Sequence, residues 1–195
     1  TPLGRLFAQL TRDELTSKKS FIGSFYELIF FEYFSKKKDS KVCRSKTYWW
    51  NLQAKTYHDE PQFEQNANKE RPIEIDLVIE SSKGGLTWCE VKSWSKTGLN
   101  KAFKQIKTRI EFINAVGLTP PKRFTLLLYK LPHIELDYKK PMLDNIFKVG
   151  SEGFDEFAIE YVEVPINNKG LFDYKKLSDS GIKEISQIRE AHKTN

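Results

Sequence analysis

Two carboxylates and a lysine interrupt the most regularly apolar part of the sequence. Asp76 lies within the alternating run 73–79, and Glu90 and Lys92 lie within the run 86–92. The residues between the two runs, Ser-Ser-Lys-Gly-Gly, are typical of a turn, so the runs are predicted to form a β-hairpin. With the turn at that position, Asp76 and Glu90 lie across from each other, with their Cβ atoms about 5 Å apart.

Such a pair of carboxylates suits a divalent metal ion, because two carboxylates this close repel each other unless a cation lies between them. Mg²⁺ takes oxygen ligands, keeps several waters and leaves positions open for a phosphate group. Since side chains alternate along a strand, Lys92 shares a face with Glu90 and would meet the attacking water or the charge that grows on the phosphate. The same spacing fits an ordinary amphipathic hairpin with a solvent-exposed Glu–Lys pair equally well.

A third carboxylate, Glu27, lies inside a strongly aromatic segment. The spacing of apolar residues predicts a helix from Ser20 to about Ser35 that is apolar on nearly every side. An unpaired carboxylate is costly to bury in such a helix, and delivery of Glu27 to a metal site explains its presence. Gly23, one turn earlier on the same face, would let the helix approach the sheet closely. The alternative is that Glu27 pairs with a lysine at the helix end or reaches solvent.

The segment after the hairpin is predicted to be a basic helix. Apolar residues recur at helical spacing from Leu99 to Ile113, and Gly117 ends the pattern. Four basic residues occupy the outer positions and could follow a phosphate backbone: Lys101, Lys104, Lys107 and Arg109. A solvated basic face accounts for them nearly as well. Of the four tryptophans, only Trp94 is expected to stack on bases rather than to pack.

The other periodic segments predict a mixed α/β or α+β domain. Strands are expected at 42–50, 124–129 and 157–164, a short helix near 3–10, and a terminal helix at 177–192. In the first strand of the hairpin, one face is expected to hold Ile73, Ile75, Leu77 and Ile79. The segment 54–70 is polar with little periodicity and is predicted to be a loop.

Length and composition limit the class of protein. With 195 residues, 39% of them hydrophobic, the chain fits a single domain, residues 1–195. No apolar run approaches the ~18 residues of a membrane span, so no membrane partner is expected. Two cysteines are too few for a disulfide scaffold and no secretory leader is visible, so a cytoplasmic location is expected. The sequence contains no phosphate-binding glycine loop, zinc-ligand spacing or serine-hydrolase elbow.

Charge is distributed unevenly along the chain, whose net charge is +6. Residues 58–95 hold 4 basic and 8 acidic residues, a net charge of −4. Residues 1–57 hold 11 basic and 5 acidic residues (+6), and residues 96–140 hold 10 and 3 (+7). An acidic segment between two basic ones is expected where carboxylates hold a metal ion and lysines hold phosphates around it.

These residues resemble the PD-(D/E)XK nuclease superfamily, whose core is a helix with a Glu, a hairpin with the Asp and the Glu-x-Lys, and a second helix. The matching segments here are 23–27, Ile75-Asp76, Glu90-Val91-Lys92 and the helix that contains Gln105. Ile75 replaces the proline of the motif, a frequent variation in that superfamily. More narrowly, four stretches are similar to the nuclease-like module at the C-terminus of predicted AAA-type ATPases: 21–27, 48–50, 74–78 and 89–95.

The resemblance implies a restriction-endonuclease-like core over about residues 20–130. That core has a central mixed sheet of four or five strands flanked by helices. Residues 131–195 would then be a C-terminal elaboration. Gln105, on the second helix, would contact the substrate or the catalytic lysine.

The resemblance also implies roles for the acidic hairpin. Asp76 and Glu90 would ligate Mg²⁺, for which Mn²⁺ would substitute, and the Val91 carbonyl would be a third ligand. Lys92 would orient the water or help to deprotonate it, and would stabilise the transition state. Glu27 would position a second metal ion or a metal-bound water.

The predicted function is Mg²⁺-dependent endonucleolytic hydrolysis of DNA phosphodiester bonds. Restriction, repair, junction resolution and defence against phage share this core, and the residues do not choose among them. Two partners besides DNA are considered: a second copy of the chain, because double-strand cutting usually requires two active sites, and an ATPase or specificity protein.

Two alternatives remain open. The first is a nuclease-fold module that binds nucleic acid or a partner protein without cutting. The second is an RNA endonuclease of the viral cap-snatching type. That group generally has a metal-ligand His on an early helix, whereas the first 57 residues here hold no His.

Overall fold

The computed structural model of the protein describes residues 18–62, 69–130, 140–163, 168 and 186–191. Within these ranges the chain forms three helices: α1 (Lys18–Ser35), α2 (Lys96–Val116) and α3 (Lys140–Gly153). It also forms seven strands: β1 (Ser40–Asn51), β2 (Thr56–His58), β3 (Glu70–Ser81), β4 (Leu86–Ser93), β5 (Arg123–Lys130), β6 (Glu156–Glu163) and β7 (Ser186–Ala191). The helix predicted near 3–10 lies outside the described residues.

All seven strands belong to one mixed sheet, in the order β2-β1-β3-β4-β5-β6-β7. The central pairs β4–β5 and β5–β6 are parallel, and every other pair is antiparallel. Six of the strands have six residues or more, and β2 has three. The predicted mixed α/β class is therefore confirmed. The predicted number of four or five strands is too low.

Helices pack on both faces of the sheet and create two separate cores. Along β5, Leu126 and Leu128 lie in a core with apolar residues of α2 and α3, such as Ile106 and Phe147, which we call the α2–α3 core. Leu127, which points the other way, lies with apolar residues of α1 in the second core, which we call the α1 core. The central strand β5 is thus buried on both sides, as its continuous apolar run predicts.

Local sequence signals explain the ends of α2 and the hairpin turn. The Ser95 hydroxyl accepts a hydrogen bond from the Gly98 amide and caps the start of α2. Gly117 ends the helix in the left-handed conformation, at φ 67°. Gly84 and Gly85 both have positive φ, which the tight connection between β3 and β4 requires.

The strand β3 changes faces at Asp76. Ile73 and Ile75 lie in the α2–α3 core, whereas Leu77, two residues further on, lies in the α1 core. The prediction that the apolar residues of this strand share one face is therefore wrong. The ladder with β1 omits the pair of Ser45 and Asp76, and Ser45 has a positive φ of 53°. This local irregularity rotates the strand and leaves Asp76 outside the regular ladder.

Three further elements differ from the sequence prediction. Strand β2 (Thr56–His58) pairs with β1 inside the segment 54–70, which is predicted to be a loop. The terminal helix predicted at 177–192 is wrong for Ser186–Ala191, which forms β7 antiparallel to β6; residues 177–185 lie outside the described part. Pairing with an existing strand overrides the local helical spacing there. Helix α3 was not predicted, although four of its residues have amphipathic spacing and are buried: Leu143, Ile146, Phe147 and Gly150. In the described ranges, no helix is both long and apolar enough to cross a membrane.

Candidate active site

The two predicted metal-binding carboxylates lie where β3 and β4 diverge. The last pair of their ladder is Leu77 with Cys89, and its register places Asp76 opposite Glu90, as predicted. Instead of a backbone pair at this position, Asp76 Oδ2 accepts a hydrogen bond from the Val91 amide at 2.7 Å. The irregularity in β3 therefore turns the Asp76 carboxylate toward β4.

Lys92 joins the predicted residues into one cluster. Its ammonium group donates to Asp76 Oδ2 at 3.1 Å, to Glu90 Oε2 at 3.2 Å and to the Val91 carbonyl at 2.9 Å. An ammonium has three donors, so all three are used. The two carboxylates and the carbonyl proposed as metal ligands thus converge on a single positive charge.

Glu90 is fully buried and is held from the other side by Arg109. Arg109 reaches Glu90 Oε1 through Nε at 2.9 Å and through Nη2 at 2.7 Å, and Nη2 also donates to the Glu74 carbonyl. The prediction that Arg109 occupies an outer position of its helix is wrong, because its side chain is 6% exposed. The buried carboxylate requires a buried cation, and α2 supplies it.

Burial and charge shift the pKa values of this cluster. Complete burial raises the pKa of Glu90 to about 7, and the charge of Asp76 acts in the same direction against the cations of Lys92 and Arg109. Burial by itself would lower the pKa of Lys92. The carboxylates of Glu90 and Asp76 outweigh burial and hold that pKa above its usual value. Lys92 is therefore positively charged at neutral pH.

Helix α1 brings Glu27 into the electrostatic field of the cluster. The Glu27 side chain is half-buried. Burial raises the pKa of Glu27, the charge of Asp76 raises it further, and the charges of Lys92 and Arg44 oppose both effects. Helix α1 thus carries a carboxylate that interacts electrostatically with Asp76 and Lys92, and its delivery to a metal site stays a prediction. Sequence reasoning did not identify Arg44, which lies in an exposed part of β1.

Tyr129 is a further residue of this region that the sequence analysis missed. It pairs in register with Ser93, and burial raises the pKa of its hydroxyl, which is hydrogen-bonded to the Ser93 side chain. Its ring stacks on Tyr26 of α1, with centroids 4.7 Å apart. Its place at the end of a buried central strand, beside the strand of Glu90, is the signal that could have identified it. A Cβ on Gly23 would lie 3.6 Å from the Tyr129 hydroxyl, so the approach of α1 does not require glycine there.

The other predicted contacts of nucleic acid divide into two groups. Lys101, Lys104 and Lys107 are exposed on α2, as predicted. Trp94 is 3% exposed and packs edge-on against Tyr161 in the α2–α3 core, so its predicted availability for stacking on bases is wrong.

Gln105 lies on α2, one turn before the arginine that holds Glu90. Its Oε1 atom is buried and has no hydrogen-bond partner within the described ranges. A buried acceptor without a partner is uncommon in proteins and marks a polar position that another group can satisfy. The predicted contact of Gln105 with the substrate or the catalytic lysine stays a prediction.

The donor set of the cluster fits a hard divalent cation. Two carboxylates and a backbone carbonyl are the ligands that Mg²⁺ prefers, with waters at the other positions. Each of these oxygens already faces one cation, the Lys92 ammonium. No group of three or more His, Cys, Asp and Glu side chains suited to a metal ion occurs in the part of the chain that the structure describes. A metal ion here would therefore depend on two carboxylates, the Val91 carbonyl and water.

Comparisons of the chain with protein-family models, with curated proteins and with solved structures give no match. The chemistry open to the cluster therefore follows from its own geometry. That geometry offers converging oxygens for a cation, a charged lysine beside them and a nearby carboxylate with a raised pKa.

Proposed function

We propose that the chain is a metal-dependent endonuclease of the PD-(D/E)XK superfamily that hydrolyses phosphodiester bonds in DNA. The observation that supports this most directly is the convergence of Asp76 Oδ2, Glu90 Oε2 and the Val91 carbonyl on one cation position. The order of helix, hairpin and helix around this position also agrees with a restriction-endonuclease-like core.

In this proposal, Asp76, Glu90 and the Val91 carbonyl hold Mg²⁺, or Mn²⁺ in its place. When bound, the metal ion supplies positive charge that lowers the pKa of water and stabilises a phosphate oxygen. Lys92 donates a hydrogen bond to the negative charge that grows on the phosphate in the transition state. Glu27 accepts a hydrogen bond from water on the side of α1.

Contacts with DNA are proposed for the exposed lysines of α2. Lys101, Lys104 and Lys107 recur every three residues along the helix and lie in solvent. Three exposed ammonium groups on one helix suit successive phosphates and carry no sequence information. The proposed function therefore leaves sequence preference to other parts of the chain or to a partner.

One observation favours a different function, that of a nuclease-like module that binds without cutting. Asp76 and Glu90 are already compensated by Lys92 and Arg109, so the cluster needs no metal ion to be electrostatically satisfied. A cluster of this kind could serve as a structural ion-pair network. Measuring activity decides between the two functions.

The test is cleavage of supercoiled plasmid, single-stranded DNA and single-stranded RNA, each with Mg²⁺, with Mn²⁺ and with EDTA. The wild type is compared with Asp76→Asn and Lys92→Met. Glu80→Gln serves as the matched control, because Glu80 is an exposed carboxylate on the same strand as Asp76. We expect metal-dependent nicking of DNA that the control retains and both site variants lose, by about a hundredfold or more.

The other results have definite meanings. Retention of DNA in a gel shift without any cleavage would replace the proposal by the binding module. Cleavage of RNA alone would keep the mechanism and change the substrate. Cleavage that survives in Asp76→Asn would show that this cluster is not the active site.

A further inference from the structure

We propose that Lys92 is a built-in competitor for the metal ion: its ammonium binds the same three oxygens that are proposed as metal ligands, and a divalent ion must displace it to bind. This inference rests on the proposed function, because it concerns the same metal site. It differs from a purely catalytic role for Lys92, which would place the lysine beside the metal ion from the start.

The hydrogen bonds of Lys92 support displacement rather than coexistence. All three donors of the ammonium point at the three oxygens that the metal ion would use. Asp76 Oδ2 in addition accepts from the Val91 amide at 2.7 Å, so two hydrogens already approach this oxygen. A metal ion at about 2.1 Å from the same atom would leave no room for the ammonium at hydrogen-bonding distance.

The rest of the cluster restricts the ways in which a second cation could be accommodated. Arg109 holds Glu90 Oε1 through two nitrogens, so Oε2 is the oxygen of this carboxylate that remains for another cation. Glu90 is fully buried, so water cannot screen the repulsion between the Lys92 ammonium and a divalent ion if both lie beside this carboxylate. Mutual repulsion would therefore expel the lysine when a divalent ion enters.

Lys92 has a place to go after displacement. Its side chain is 16% exposed, so one side of the cluster is open to solvent. Its stem contains four carbons with free rotation. Glu27 lies close enough for the two side chains to influence each other electrostatically.

The inference predicts that removing the lysine strengthens metal binding. A neighbouring charge shifts an ionic equilibrium by roughly one to three powers of ten, so we expect Lys92→Met to bind Mn²⁺ about tenfold more tightly than the wild type. Mn²⁺ binding is measured by electron paramagnetic resonance at pH 8, without nucleic acid. Lys83→Met, in the turn at the other end of the hairpin, is the matched control, and its affinity should equal that of the wild type.

The outcomes separate this inference from the proposed function. Equal or weaker Mn²⁺ binding by Lys92→Met, with clear binding by the wild type, contradicts the inference that Lys92 competes with the metal ion and does not affect the proposed nuclease function. Absence of Mn²⁺ binding in both proteins overturns the metal site together with the competitor. Tighter binding by Lys92→Met supports the competitor even if no DNA cleavage is found.

A second measurement uses only the wild type, so it holds even if Lys92→Met does not fold. Amines are modified by reductive methylation, and the modification of each lysine is followed by mass spectrometry with and without Mn²⁺. We expect Lys92 to react slowly in the metal-free protein and several-fold faster when Mn²⁺ is present, because displacement frees its amine. Lys83 should react equally in both conditions. A rate for Lys92 that Mn²⁺ leaves unchanged or lowers contradicts the inference.

Discussion

Glu90 has the most constrained environment of the cluster residues. It is fully buried, yet each of its carboxylate oxygens contacts a cation, Arg109 on one side and Lys92 on the other. Burial raises its pKa to about 7, so the group changes its charge near neutral pH. Binding of a divalent ion requires the ionised form, and this requirement gives the site a dependence on pH.

The first prediction is that Mn²⁺ binds more tightly as the pH rises from 6 to 8. For a pKa of about 7, the ionised fraction of Glu90 rises from about one tenth to about nine tenths over this range, so the affinity should rise about tenfold. Titrations at pH 6, 7 and 8 measure the effect. Glu80→Gln should keep the same slope, and an affinity that stays constant over this range contradicts the prediction.

The second prediction concerns the cation that holds Glu90. Removing Arg109 takes away the cation at the buried Oε1 of Glu90 and leaves only Lys92 at Oε2, so Arg109→Met should lower the free energy of unfolding by about 3–5 kcal/mol. Lys107→Met, an exposed lysine on the same helix, should change it by less than about 0.5 kcal/mol. Urea denaturation of the three proteins at pH 8 provides the comparison. A loss below about 1 kcal/mol for Arg109→Met would mean that the lysine alone compensates Glu90.

At the scale of elements, the site depends on how closely α2 packs against the end of β4. A Cβ added to Gly98 would lie 2.0 Å from the Ser93 carbonyl oxygen and 2.5 Å from its hydroxyl. The Ser93 backbone cannot move aside as easily as the end of a side chain could, so only glycine fits at position 98 while the first turn of α2 packs this closely. This contact fixes the helix that delivers Arg109 relative to the strand that carries Glu90.

The third prediction follows from this contact. Gly98→Ala should destabilise the protein by about 1–3 kcal/mol, the usual cost of overpacking. Gly23→Ala is the control, because a Cβ there meets its nearest neighbour at an ordinary 3.6 Å and alanine favours the helix by up to about 1 kcal/mol. Thermal unfolding of both variants should therefore shift in opposite directions. A neutral Gly98→Ala would show that α2 can move away from β4.

Sequence periodicity predicts most of these elements but not their local irregularities. The bounds of β4 follow from alternation, and the end of α2 follows from Gly117. The change of faces at Asp76 does not, because it depends on β1, where Ser45, 31 positions earlier, has a positive φ and is omitted from the ladder opposite Asp76. The burial of Arg109 could not be predicted either, since a basic residue on an amphipathic helix is usually exposed. Both errors concern the surroundings of the same two carboxylates.

At the scale of the whole molecule, the exposed lysines of α2 are the basis for the proposed interaction with DNA. They lie on the helix that also supplies the buried arginine, so one element has a basic outer surface and an inner side that supports the cluster. Long-range attraction from such a surface is not specific and is weakened by salt. The contribution of these lysines to DNA affinity can therefore be measured separately from catalysis.

The fourth prediction uses that separation. A triple variant with glutamine at Lys101, Lys104 and Lys107 should bind DNA more weakly. The slope of log affinity against log salt concentration should become shallower by up to about 0.9 for each lysine that contacts a phosphate. A second triple variant with glutamine at the exposed residues 36–38 has the same net charge and should keep more of the slope. Fluorescence anisotropy at several salt concentrations measures both. Equal loss in the two variants would indicate that net charge alone matters.

The two cores on opposite faces of the sheet contain different natural optical and chemical reporters. Trp50, Trp88 and Trp94 are buried in the α2–α3 core, whereas Cys89 is buried in the α1 core, where burial raises the pKa of its thiol. With Trp49, which belongs to neither core, replaced by phenylalanine, indole fluorescence therefore follows one layer during unfolding. Thiol labelling, with exposed Cys43 replaced by serine, follows the other layer. Coincident transitions would mean that both layers melt as one cooperative unit; earlier labelling would mean that α1, with Glu27, detaches first.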